Sequence, residues 1–217
     1  WCSRREADPV AMQFLQAGYN VFTLYYTCRS DETVPALRWQ PLIDAAGAIL
    51  HVRRNAEQFG TDPAKIAICG FSAGGHLALS GAVLDIPGET AQQRPNAVIL
   101  GYPVITAGEF AHRGSFVRLA GSEDAAAQQV FTLEDKVTSD TPPVFVWHTM
   151  EDKTVPVENT LLLLAALRRA GVPCEAHLFE KGAHGTSIST AEVDGGLTAP
   201  IGWLSASSGW GRRLGSN

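Results

Sequence analysis

Apolar positions along this chain of 217 residues fall into two recurring patterns, short near-continuous runs and longer stretches with helical spacing. READPVAMQFLQA over residues 5–17 has the helical spacing and predicts a helix closed by Gly18. YNVFTLYY, Tyr19 to Tyr26, is rich in β-branched and aromatic residues and predicts a strand. After a loop with Pro35 and Pro41, Leu42, Ala45, Ile49, Val52, Ala56 and Phe59 mark one face of a helix from about 42 to 59, stopped by Gly60. The runs at 65–70 (KIAICG), 97–102 (AVILGY), 144–148 (VFVWH) and 174–179 (CEAHLF) predict strands of a parallel sheet. Helices are expected from just after Ser72 to about Leu84, from Pro156 to Ala170, and around Trp203 and Leu204. Strands alternating with helices indicate an α/β fold, a mostly parallel sheet with helices on both faces. Residues 106–141 break that rhythm and read as a lid-like insertion within one domain spanning 1–217.

Composition narrows the picture. A chain this long with 45% hydrophobic residues buries one sizeable core. The net charge of −5 leaves no basic surface for nucleic acid, and the pairs Arg53-Arg54, Arg168-Arg169 and Arg212-Arg213 read as solvated helix ends. The apolar run LLLLAAL (161–167) is far shorter than a membrane span, so no membrane partner is expected. Cys2, Cys28, Cys69 and Cys174 are widely spaced, without a CxxC pair. They read as reduced thiols in a cytoplasmic protein, Cys69 as a small buried hydrophobe. The chain opens on Trp1 with no signal-like segment, which reads as a processed or trimmed chain. Oligomeric state is not legible.

Candidate chemistry follows from asking which polar residues come directly after each apolar run, because active groups in such sheets gather at the carboxyl ends of the strands. Gly70-Phe71-Ser72-Ala73-Gly74 places a serine on a sharp strand-to-helix turn. HTMED after the third run offers Glu151 and Asp152, and EKGAHG after the fourth offers His184. Serine, acid and histidine thus occur in that order, each at the same end of the sheet. A serine hydroxyl needs a base to become a nucleophile, and the base needs a carboxylate to fix its tautomer and stabilise its cation. Ser72 is read as nucleophile, His184 as base and Asp152, in preference to Glu151, as acid. His76, His51, His177 and His148 read as structural, His148 as a buttress near the acid. His112 and Ser115 in the insertion, with Phe71 and Tyr102, are expected to line a substrate pocket. No histidine pair has helical ligand spacing, so no metal is expected.

CGFSAGGHLA, GYPVI, TPPVFVWHTMEDKTVPVENT and FEKGAHG together resemble the α/β-hydrolase esterases, nearest the compact acetyl-esterase or acetylxylan esterase-like group, from about Arg5 to Trp203. The resemblance implies an α/β-hydrolase fold and removal of short acyl groups, commonly acetyl, from sugars or small alcohols, without a cofactor. It carries Ser72, Asp152 and His184 over in the roles already read, with the Ala73 N–H as one half of an oxyanion hole. Its Gly-rich oxyanion loop and early strands are not found, since WCSRREAD holds no glycine. A prolyl-oligopeptidase-type peptidase shares the order of the three residues. A non-catalytic binding protein of the same fold is the remaining alternative.

Overall fold

Side-chain alternation along four strands sorts the interior into two layers. The computed structural model describes residues 3–28, 36–88, 90–188 and 202–214. Strands β1 (Ala67–Phe71), β2 (Ala97–Gly101), β3 (Val144–Thr149) and β4 (Cys174–Phe179) form a parallel sheet in the order β1-β2-β3-β4. Ala67 lies opposite Ala97, Val98 opposite Val144, and Val144 opposite Cys174. Val98, Leu100, Val144 and Val146 face one layer, with Leu42, Leu77, Leu79, Leu163 and Leu167 from the helices that cover it. Ala97, Ile99, Phe145 and Trp147 face the other, with Val10, Phe14, Trp203 and Trp210. This period of two, buried on both faces, is what a parallel sheet between helical layers requires.

The helices are α1 (Asp8–Gln16), α2 (Gln40–Arg54), α3 (Ala56–Phe59), α4 (Ala73–Val83), α5 (Arg113–Ala120), α6 (Ala125–Gln129), α7 (Glu158–Ala170) and α8 (Gly202–Leu214). The helix expected over 42–59 is divided at Asn55, whose side-chain amide donates to the His51 carbonyl at 2.7 Å. That local bond competes with helix continuation and holds Asn55 at φ −106°. The irregular region 106–141 folds into α5, α6 and a 3₁₀ turn at Glu134–Lys136. The buried Asn159 carboxamide fastens its start, accepting from the Ile105 and Thr106 amides and donating to the Phe110 carbonyl.

Two expectations are corrected. Tyr19–Tyr26 is no strand: it stays outside the sheet, with Val21, Phe22, Leu24 and Tyr25 exposed. Strand propensity needs a partner edge to be realised, and this segment is instead tied to helices. Asn20 bonds the Phe59 and Gly60 carbonyls, and the Thr27 amide bonds Asp44. Cys69 is exposed, not buried, because among the described residues no strand lies on the outer side of β1. Cys69 and Cys174 are free thiols and the Cys28 thiol donates to the Tyr26 carbonyl at 3.4 Å, while Cys2 and Pro35 lie outside the described residues.

Candidate active site

β1 runs into α4 through a single residue, Ser72, at φ 53° and ψ −120°. A non-glycine residue at positive φ is strained, and such strain recurs where a side chain must be presented outward. The turn is fixed on both sides: the Ser72 amide donates to the Gly101 carbonyl at 3.0 Å, and the Ser72 carbonyl accepts from Val104 at 3.1 Å. Close packing demands glycine at two positions. A Cβ on Gly70 would strike the Gly74 carbonyl, and one on Gly75 would lie 2.8 Å from the Pro103 Cβ. Ala73 opens α4, so its N–H is among the first-turn donors that have no acceptor within the helix.

Ser72, His184 and Asp152 form one hydrogen-bonded chain. The Ser72 Oγ lies 2.8 Å from His184 Nε2, and His184 Nδ1 lies 2.6 Å from Asp152 Oδ2. A carboxylate only accepts, so Nδ1 carries the hydrogen and the Nε2 lone pair is left for the serine hydroxyl. The loop carrying His184 is bracketed by Gly182 (φ 137°) and Gly185 (φ 80°), conformations that suit glycine. A Cβ on Gly182 would come within 2.8 Å of Thr149, whose hydroxyl donates to the Gly182 carbonyl at 2.7 Å.

Asp152 is fully satisfied. Its Oδ1 accepts from the Thr154 and Val155 amides, each at 2.9 Å. His148 Nε2, 3.3 Å from Oδ2, is shared with the Val155 carbonyl, while the Thr160 hydroxyl occupies His148 Nδ1. Burial alone would raise the Asp152 carboxyl, but hydrogen bonds from His148, His184 and Val155 outweigh it and hold the group well below the usual carboxylate range. Glu151 points to the surface, where it pairs with Lys181 at 2.8 Å and steadies the histidine loop from outside.

The residues expected to line a pocket are divided. Ser72, Ala73, Phe71, His184, His112 and Ser115 border a cleft of about 1700 Å³ that continues along the outer side of β1 toward residues 20–28. His112 Nδ1 lies 2.8 Å from the Ser115 hydroxyl. Tyr102 is buried behind His184 instead, its ring edge-on to the imidazole at 4.9 Å. Its hydroxyl donates to Glu6 at 2.6 Å, a contact that no spacing in the sequence signals, since 96 residues separate the two. Among the described residues no cluster of histidine, cysteine, aspartate and glutamate is arranged to hold a metal ion.

A parallel sheet between helical layers, with a serine at the strand-to-helix turn, defines the α/β-hydrolase fold. The BD-FAE family model matches residues 2–99. Endo-1,4-beta-xylanase B of Butyrivibrio fibrisolvens is 38% identical over 208 residues, 90% of this chain and 32% of that protein. The acetylxylan esterase of Xylanibacter ruminicola is 33% identical over 156 residues, 69% of this chain and 32% of that protein. The crystal structure of an acetyl ester-xyloside bifunctional hydrolase from Caldicellulosiruptor lactoaceticus superposes with a TM-score of 0.83 at 35% identity, covering 98% of this chain and 78% of that one. The chain belongs to the α/β-hydrolase family of esterases. It spans about a third of the length of those two curated relatives.

Proposed function

We propose that this chain carries a serine carboxylesterase that removes short acyl groups, acetyl foremost, from sugars or xylan-type oligosaccharides. The observation that carries the reading is the continuous chain from Ser72 Oγ through the His184 imidazole to the Asp152 carboxylate, at 2.8 and 2.6 Å. As His184 Nε2 takes the hydroxyl proton, Ser72 Oγ attacks the ester carbonyl and forms a tetrahedral intermediate. Its oxyanion is met by the Ala73 N–H at the start of α4, where the helix dipole also favours negative charge. The imidazolium then protonates the leaving alkoxide, and the C–O bond breaks to leave acyl-Ser72. Water, deprotonated by His184, attacks the acyl carbonyl, releases the acid and restores the hydroxyl. Asp152, held ionised, stabilises the imidazolium in both halves of the cycle.

His112 and Ser115 are assigned to the alcohol side of the substrate. Burial, followed by the positive charges of His184 and Arg118, pushes the His112 imidazole below its ordinary value against the pull of Asp152. A neutral imidazole offers a donor or an acceptor to a sugar hydroxyl. The region 106–141, which brings α5 to the cleft, is proposed as its cap, within a single domain. The names of the xylan-active relatives support acetylated xylan as the substrate class.

Hydrolysis of p-nitrophenyl acetate, butyrate and octanoate by the full-length protein and its Ser72→Ala variant tests this reading. The expected result is fastest turnover on acetate and loss of at least about 10⁴-fold in kcat on substitution. Equal activity of the variant would remove Ser72 from the mechanism.

A further inference from the structure

Glu6 stands outside the Ser72–His184–Asp152 chain, yet it reaches His184 through one intermediary. It ends the 3₁₀ turn Arg4–Glu6, before α1, and is half-buried. Tyr102 follows β2 at φ 36°, a left-handed conformation unusual for a tyrosine. That backbone aims the phenol between the turn and the loop carrying His184. The hydroxyl donates to Glu6 Oε1 at 2.6 Å and accepts the Ser187 amide at 3.1 Å. Ser187 is gripped from two further sides: its hydroxyl donates to the Arg5 carbonyl at 2.6 Å, and its carbonyl accepts from the buried Trp203 indole at 3.0 Å. The tyrosine ring, wedged against Trp147 at 5.0 Å, lies edge-on to the His184 imidazole at 4.9 Å.

We propose that Glu6 is a positioning residue for His184: through Tyr102 it anchors the 184–187 loop, and its negative charge behind the ring favours the imidazolium formed during turnover. This rests on the esterase reading above. Two roles are joined here, and chemistry separates them. The anchoring role needs only an acceptor for the phenol, which a carboxamide also provides. The electrostatic role needs the charge.

The groups facing Glu6 fit this assignment. Arg5 comes from its own turn, Tyr102 from the loop after β2, His184 from the loop after β4, and Cys69 from β1. Burial pushes the Glu6 carboxyl up, while the Tyr102 hydrogen bond and the charges of His184 and Arg5 draw it back down. The Tyr102 phenol is pushed well above its ordinary value, by burial first and then by the Glu6 charge, so it remains a donor throughout the working pH range. Interaction between charges is mutual. A histidine cation that favours ionised Glu6 is itself favoured by it.

Glu6→Gln and Tyr102→Phe, made in the full-length protein, test the assignment. In Glu6→Gln the expected result is a fall in kcat on p-nitrophenyl acetate of about five- to tenfold with KM within about twofold. The acid limb of kcat/KM moves about half a pH unit lower, the scale of one screened charge nearby. Tyr102→Phe, which frees both Glu6 and the Ser187 amide, lowers kcat at least as far. An NMR titration of the His184 imidazole in the Ser72→Ala background gives the same downward displacement on adding Glu6→Gln, and it does so whether or not the protein hydrolyses esters. An unmoved titration with wild-type kcat in folded Glu6→Gln would overturn the electrostatic role, and wild-type kcat in folded Tyr102→Phe would overturn the anchoring role; both together would leave Glu6 a packing residue. An inactive wild type with a displaced titration would overturn the esterase reading alone.

Discussion

His76, one helical turn beyond Ser72, is a buried histidine that the Ser72–His184–Asp152 chain does not include. Its ring is buried edge-on against Phe116, and Nε2 donates to the Phe131 carbonyl at 2.8 Å. Burial lowers its value from 6.5 to about 4, against the opposing pull of the Phe131 hydrogen bond. The unfolded chain therefore binds a proton that the folded chain refuses between about pH 6.5 and pH 4. Stability is fully present above pH 6.5 and falls as the pH drops through this window, by about 3 kcal/mol at its lower end. Urea midpoints between pH 7.5 and 4.5 should decline in the wild type and flatten in His76→Gln, after allowance for its lower starting stability. An equal slope in both would place the acid sensitivity elsewhere. The structural reading of His76 was available from sequence because the spacing puts it behind the turn. Glu6 was not legible at all, since its meaning depends on a tyrosine brought to it by the fold.

At the scale of the element, the strand-to-helix turn was legible as Gly-x-Ser-x-Gly, but the steric requirement does not coincide with that pattern. Gly70 and Gly75 are the crowded positions, whereas a Cβ on Gly74 would meet only the Tyr26 hydroxyl, at 4.0 Å. Gly74→Ala should therefore fold with a Tm equal to or above wild type, since alanine stabilises a helix by about 0.5–1 kcal/mol over glycine. Gly70→Ala should lose several kcal/mol or fail to fold, because the Gly74 carbonyl cannot retreat without breaking the first turn of α4. Thermal denaturation of the pair decides this, and similar melting of both variants would contradict it. The two central strands, β2 and β3, were legible because burial on both faces leaves continuous apolar runs. Tyr19–Tyr26 carries the same residue types and was misread, because a strand is a property of two segments and composition describes only one.

For the whole molecule, the parallel sheet is what converts three distant loops into one site. Ser72 and His184 are 112 residues apart and Asp152 lies between them, yet all three follow strands whose carboxyl ends share one edge of the sheet. This was the most legible feature of the chain, since it needed only the order of strands and the polar residue after each. The cleft beside them was not legible, being bounded by side chains from elements as far apart as the 3₁₀ turn at Arg4 and α8. No helix among the described residues is long and apolar enough to cross a membrane.

The central claim is that Ser72 carries the acyl group between the two halves of the reaction. Acid quenching of the full-length protein during turnover of p-nitrophenyl acetate, followed by peptide mass spectrometry, tests it directly. The account predicts one acetyl group on the peptide containing Ser72, a gain of about 42 Da, that disappears as substrate is exhausted. Acetate released at the full rate with Ser72 unmodified, or the label on another residue, would contradict it.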